Sequence, residues 1–151
     1  MKIIRVAGVV LLIVLLLWVM ALSGQMYAFI DFASLIFVVF ICLSLLLFTN
    51  QISDYLRAFR FSAGNHEFTT KELKASENTM SFSIKVMFLA GLLGSLVGFV
   101  QIGHLGDPDS LTFVRMAVSS LTFVYACILN LIQISIKSIL TKEIIYRNHE
   151  K

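Results

Sequence analysis

Thr112, Arg115, Ser119, Thr122, Ala126, Asn130, Gln133 and Lys137 follow one another at steps of three or four residues. On an α-helix that spacing places them on a single face. Only the small Ala126 interrupts its row of hydroxyl, amide and cationic groups. Two kinds of chemistry fit such a row inside an apolar stretch. Hydroxyls and amides can hand on a proton or replace water around an ion. They can also tie neighbouring helices by hydrogen bonds, the commoner use of Ser, Thr and Asn within membranes. Contact with lipid is the costly option, so the face must meet a helix or a wet cavity.

A second set of small residues lies upstream. Ala90, Gly91, Gly94, Ser95 and Gly98 fall in one run, and Ala90, Gly94 and Gly98 repeat every four residues. Such a stripe lets two backbones approach closely in lipid, so helix packing is its first reading. Ser95 stands beside the stripe, where it can line a cavity or bond its own backbone.

The missing groups narrow the chemistry further. No Asp or Glu lies within an apolar run, and Asp31 stands only at the mouth of one. His66, His104 and His149 fall in connecting segments or the tail, and no His/Cys cluster has metal-ligand spacing. His104, Asp107 and Asp109 are read as solvated loop residues. Cys42 and Cys127 sit in apolar runs, where the thiol behaves as a small hydrophobe. The pattern predicts no enzyme, no catalytic residue, no metal and no cofactor. If protons cross with this chain, a titrating group from another polypeptide is expected.

The elements that position these residues follow from composition. Of 151 residues, 58% are hydrophobic and 14% charged, with one proline and a mean hydropathy of +0.90. A soluble domain carries about 25% charged residues, so a soluble enzyme domain, a disordered chain and a disulfide scaffold are excluded. The expected architecture is all-α, a polytopic membrane protein forming one membrane domain of four transmembrane helices. The spans are read as residues 3–22, 29–48, 82–102 and 111–136, with a polar connection at 49–81 and a tail at 137–151.

Charge sets the orientation. With Lys2 and Arg5 inside, Arg57, Arg60, Lys71, Lys74, Lys85, Lys137, Lys142, Arg147 and Lys151 fall on the same side. Only Arg115 falls outside, a one-sided distribution that predicts cytoplasmic termini. A cleaved signal peptide at Met1–Ser23 is the rival reading; the long apolar run and three following spans favour a retained helix. Membrane lipid is an expected partner, and nucleic acid is not.

Within the polar connection, Asp54–Phe61 mixes charged and aromatic residues, as a helix leaving the membrane interface would. Gly64-Asn65 is a break. Thr69-Thr70-Lys71-Glu72 has capping-box spacing, so a helix should start there and run through Lys85 into the third span. The fourth helix should continue past Lys137, with Glu143 and Arg147 paired at i,i+4. Helices three and four are therefore expected to extend together into the cytoplasm.

Four segments in order resemble the MotA/TolQ/ExbB proton-channel superfamily. Gly91-Leu92-Leu93-Gly94-Ser95-Leu96-Val97-Gly98-Phe99-Val100-Gln101 is similar to the glycine-rich third helix of the flagellar stator protein MotA. Leu105-Gly106-Asp107-Pro108 resembles its short outer loop, and Met116–Tyr125 the start of its fourth helix. Ile30-Asp31-Phe32-Ala33-Ser34-Leu35 resembles the entry to its second helix. The resemblance covers roughly residues 27–140. It implies a channel subunit of the bacterial cytoplasmic membrane that forms a homo-oligomer, five copies in the family. The ring surrounds a single-span partner of the MotB/TolR/ExbD kind, which brings a proton-accepting aspartate. Ser95 then takes the place of a pore threonine and Thr122 that of the first residue of a threonine pair.

The departures are equally specific. Phe123 replaces the second threonine, while Phe88 and Ala33 stand where the family commonly has proline. The connection at 49–81 is much shorter than a stator's rotor-engaging region, so torque on a flagellar rotor is not implied. Two functions remain. One is an ion channel, for protons by resemblance, with a path along Ser95, Ser119 and Thr122. The other is a non-conducting membrane scaffold of the same fold, with Phe123 closing the axis.

Overall fold

The computed structural model describes residues 31–64, 67–104 and 111–149, together with Leu11, Val14 and Trp18; of residues 103–104 and 111–114 it describes the backbone. The described chain is helical: α1 is Phe32–Phe48, α2 Ile52–Ser62, α3 Thr70–His104 and α4 Leu111–His149. The expected first span at 3–22 lies outside the described residues apart from those three positions.

Helices α3 and α4 form a long antiparallel hairpin of 35 and 39 residues. At 1.5 Å per residue these helices are about 52 and 58 Å long, well beyond the roughly 30 Å hydrocarbon core. Both are long and apolar enough to cross a membrane. Helix α1 has 17 residues, apolar apart from Ser34 and Ser44, and α2 turns away from it by 116°. The reversal runs through Asn50 at φ 53°, a left-handed conformation that Asn tolerates better than most residues.

Local signals set the helix ends. Asp31 caps α1 by accepting from the backbone N–H groups of Ala33 (3.1 Å) and Ser34 (3.4 Å). At α3 the backbone N–H of Thr69 donates to Glu72 Oε2 at 2.8 Å, and Glu72 N–H donates back to Thr69 Oγ1 at 3.3 Å. The capping box is therefore formed as its spacing predicts. The Arg147–Glu143 pair also forms, at 2.8 Å, and Arg147 Nη1 donates to the Phe68 carbonyl at 2.6 Å. That last bond fastens the end of α4 to the segment entering α3.

The hairpin seam has a seven-residue rhythm. Leu73, Met80 and Met87 on α3 are buried, as are Ala126, Gln133 and Leu140 on α4. Such spacing suits two helices wound gently about each other. Its composition changes along the length. At one end Gly91, Gly94 and Gly98 face Ala126, Thr122 and Ser119. At the other, Leu73, Met80, Ile136, Leu140 and Ile144 form an apolar core with Ala58 and Phe61 of α2. Small residues hold helices together where lipid is the solvent, because apolar burial gains nothing there. Large apolar residues do so where water is the solvent. Along the hairpin the packing thus changes from the kind suited to lipid to the kind suited to water. Helix α1 packs on the first part through Val38, Cys42 and Leu46, and α2 on the second.

Candidate functional site

The polar face of α4 is turned largely inward, onto α3 and α1. Thr122, Asn130 and Gln133 are buried, and Ser119 is half-buried. Arg115 is exposed at the end of the face. Thr112 lies in α4, with its side chain outside the described residues.

Near the start of α1 a line of oxygens crosses between helices. Ser34 Oγ donates to Asp31 Oδ2 at 2.6 Å and lies 2.8 Å from Thr122 Oγ1. The hydroxyl of Tyr125 accepts from the Asp31 backbone N–H at 2.9 Å. With the Ser34 hydroxyl committed to the carboxylate, the Thr122 hydroxyl supplies the proton of the 2.8 Å contact. Beside this line runs an open groove of about 420 Å³ bordered by Ser34, Phe37, Gly98, Gln101, Ser119 and Thr122. Ser119 and Thr122 therefore share one groove. The Ser119 hydroxyl itself donates to the Arg115 carbonyl at 3.0 Å, a bond within its own helix.

Ser95 is not part of that groove. It is buried, and its hydroxyl has no hydrogen-bond partner among the described residues. Asn130 shows the same feature: its Oδ1 is buried and unpartnered. Asn130 lines an apolar groove of about 610 Å³ made by α3 and α4 alone, with Ile84, Phe88, Cys127, Leu131 and Ile134. An unsatisfied buried acceptor is costly, and the Asn130 oxygen lies beneath a groove surface that is almost wholly apolar. Phe123 packs edge-on against Phe88, ring centroids 5.5 Å apart.

The small-residue stripe works as a spacer. A Cβ on Gly91 would run into Cβ of Ala126, one on Gly94 into Cγ2 of Thr122, and one on Gly98 into Ser119. Ala90 is buried next to the contacting positions. The face that touches α4 is Gly91, Gly94 and Gly98 rather than a strict every-fourth-residue row.

A second polar node joins all four described helices. Ser83 Oγ donates to Gln133 Oε1 at 2.8 Å and lies 3.2 Å from Cys42 Sγ. Gln133 Nε2 donates to the Tyr55 hydroxyl at 3.1 Å and to Met87 Sδ at 2.9 Å. Burial pushes the Tyr55 phenol up to about 12. Only Gln133 of this node stood out in the sequence. The sole available signal for Ser83 was its place in the seven-residue rhythm of α3. Among the described residues no cluster of His, Cys, Asp or Glu has a geometry that could hold a metal ion.

No protein-family model, curated protein or solved structure matches this chain.

Proposed function

We propose that the chain is an ion-channel subunit of a membrane complex that converts an ion gradient into work, with protons as the ion. In this reading several copies surround a single-span partner helix in a bacterial cytoplasmic membrane, as the resemblance to the MotA/TolQ/ExbB superfamily implies. One observation carries it: the Asp31–Ser34–Thr122 line of hydrogen-bonded oxygens bordering the open groove that also holds Ser119. A proton can pass along such a line by successive exchange of hydrogen bonds. Ser95 would join the path from another side of α3, through an oxygen that has no partner among the described residues. The apolar groove between α3 and α4 offers a seat for a further transmembrane helix, either a neighbouring copy or the partner.

The test is proton flux into proteoliposomes holding this chain and a single-span partner of the MotB/TolR/ExbD kind, with any periplasmic plug removed. Thr122→Ala and Ser95→Ala should lower the flux several-fold. Flux unchanged by both substitutions would sink the path. Reporter fusions at both termini check the four-span topology, whose expected outcome is a cytoplasmic signal from each.

The scaffold reading has its own support. The hydroxyls of Ser34 and Thr122 are engaged with each other across α1 and α4, as expected of groups that only hold helices together. Phe123 lies against Phe88 of the same chain, so occlusion of an axis by its ring has no support from that contact. No ion flux from an intact assembly that still binds its partner would favour the scaffold.

A further inference from the structure

Helix α2 presents two chemically different faces at one level of the molecule. Its inner side, Ala58 and Phe61, is buried against α3 and α4. Outside it, Ile52, Leu56 and Phe59 stand at helical spacing; Leu56 is 50% and Phe59 37% exposed. Beside them Ser53, Leu56, Arg57 and Arg60 border a groove of about 310 Å³ together with Phe68 and Glu72. Arg57 is engaged within the chain, paired with Asp54 and stacked over Phe68. Arg60 is exposed and has no hydrogen bond or ion pair among the described residues.

Three observations fix the level at which this helix sits. The apolar run of α1 ends at Phe48, itself 88% exposed, and α2 begins four residues later after a 116° turn. A helix so bent from a spanning one runs close to the membrane plane. Tyr55 is tied to Gln133, one turn before Lys137 on α4. Ser83, on the same glutamine, lies two residues from the exposed Lys85 of α3. Lys137 and Lys85 thus flank the Gln133–Ser83–Tyr55 node on its two sides, so cations and an amphipathic tyrosine from three helices fall in one band, as at a lipid–water boundary.

We propose that α2 is an interfacial helix that binds the membrane surface. Ile52, Leu56 and Phe59 enter the boundary between headgroups and acyl chains, and Arg60 takes the phosphate of an anionic lipid. A helix with one apolar and one basic face lies in that plane with its apolar side a few ångströms below the headgroups. The occupant follows from charge and composition: a guanidinium without a partner among the described residues, on the same helix as exposed Leu56 and Phe59. This holds whether or not the assembly conducts.

The experiment places a reporter on each face of the full-length protein in proteoliposomes. Trp18 is the only tryptophan, so Trp18→Phe supplies a silent background for Phe59→Trp and, separately, Ser53→Trp. With lipids brominated near the headgroup end of the acyl chain, the Phe59→Trp reporter should be quenched at least twofold more than the Ser53→Trp reporter. Its emission should also be blue-shifted. Replacing anionic by zwitterionic lipid, or adding Arg60→Gln, should weaken that quenching, since an anionic surface draws a nearby cation towards it. Three results would overturn the proposal. Equal weak quenching at both positions means the face is in water. Blue-shifted emission that brominated lipid does not quench means another protein surface, such as a second copy, covers it. Quenching indifferent to lipid charge and to Arg60→Gln removes the anionic headgroup as ligand.

Discussion

Ser34 and Thr122 lie 88 residues apart in the chain and 2.8 Å apart through their hydroxyl oxygens. This contact joins α1 to α4 near the start of α1 and leads to the Asp31 carboxylate through the second bond of Ser34. It serves both proposed functions, and substitution separates them. Thr122→Val keeps the shape and removes the hydroxyl. Interhelical hydrogen bonds of this kind contribute about 0.6 kcal/mol on average and up to about 1.7 in a membrane. Thr122→Val should cost about that, Ser34→Ala more because it also removes the bond to Asp31, and the double substitution little more than Ser34→Ala alone. The measurement is a double-mutant cycle on unfolding in detergent micelles. A channel loses flux in both single variants, whereas a scaffold loses stability only.

The glycine contacts predict an order of sensitivity. Gly91 faces the rigid Cβ of Ala126, whereas Gly94 faces the ends of two side chains, Thr122 and Phe37. Overpacking costs about 1–3 kcal/mol where the neighbour cannot move. Gly91→Ala should therefore lower the melting temperature more than Gly94→Ala does. Adding Ala126→Gly to Gly91→Ala should recover most of the loss. No recovery would mean that the two backbones are not in the described contact.

Gln133 is the hub of the inner polar node, bonding Ser83, Tyr55 and Met87. Gln133→Leu leaves the buried hydroxyl of Ser83 without its acceptor, and an orphaned buried group costs about 1–3 kcal/mol. Gln133→Leu combined with Ser83→Ala should be less destabilising than Gln133→Leu alone, because the orphan is removed. Tyr55→Phe should loosen α2, seen as faster hydrogen exchange over Ile52–Ser62 while α3 and α4 keep their protection.

The capping box at the start of α3 makes stability sensitive to acid. Hydrogen bonds from the Thr69 backbone and hydroxyl hold the Glu72 carboxyl below its ordinary value. A depressed folded pKa stabilises above the unfolded value of about 4.3. That contribution is lost as pH falls through the lower, folded value. Amide exchange in the first turn of α3 should therefore accelerate in acid relative to the middle of the helix. Glu72→Gln should remove this pH dependence, and Thr69→Ala should fray the turn at neutral pH, at a cost of about 1 kcal/mol.

Features that depend on neighbours in the chain were legible from the residues themselves. The all-helical class follows from long apolar runs with one proline. The Thr69–Glu72 box and the Glu143–Arg147 pair follow from spacing within one or two turns. The polar face of α4 and the glycine-rich face of α3 follow from a period near 3.6. In each case one helix holds all the partners, and its geometry is known in advance.

What a helix face meets is a different matter. Periodicity placed Ser119, Thr122, Asn130 and Gln133 on one side of α4 without saying what lay opposite. Thr122 meets Ser34, Gln133 meets Ser83 and Tyr55, and Asn130 lines an apolar groove. The same residue types thus have three environments, decided by where α1, α2 and α3 cross α4. The direction of α2 is likewise a tertiary outcome. The sequence by itself determined a helix over Asp54–Phe61 and its mixed faces, but its 116° departure from α1 came from docking Ala58 and Phe61 on the hairpin. Local spacing encodes how residues are arranged around one axis. The relative rotation and register of two axes depend on how their whole surfaces fit, and only the packed fold contains that information.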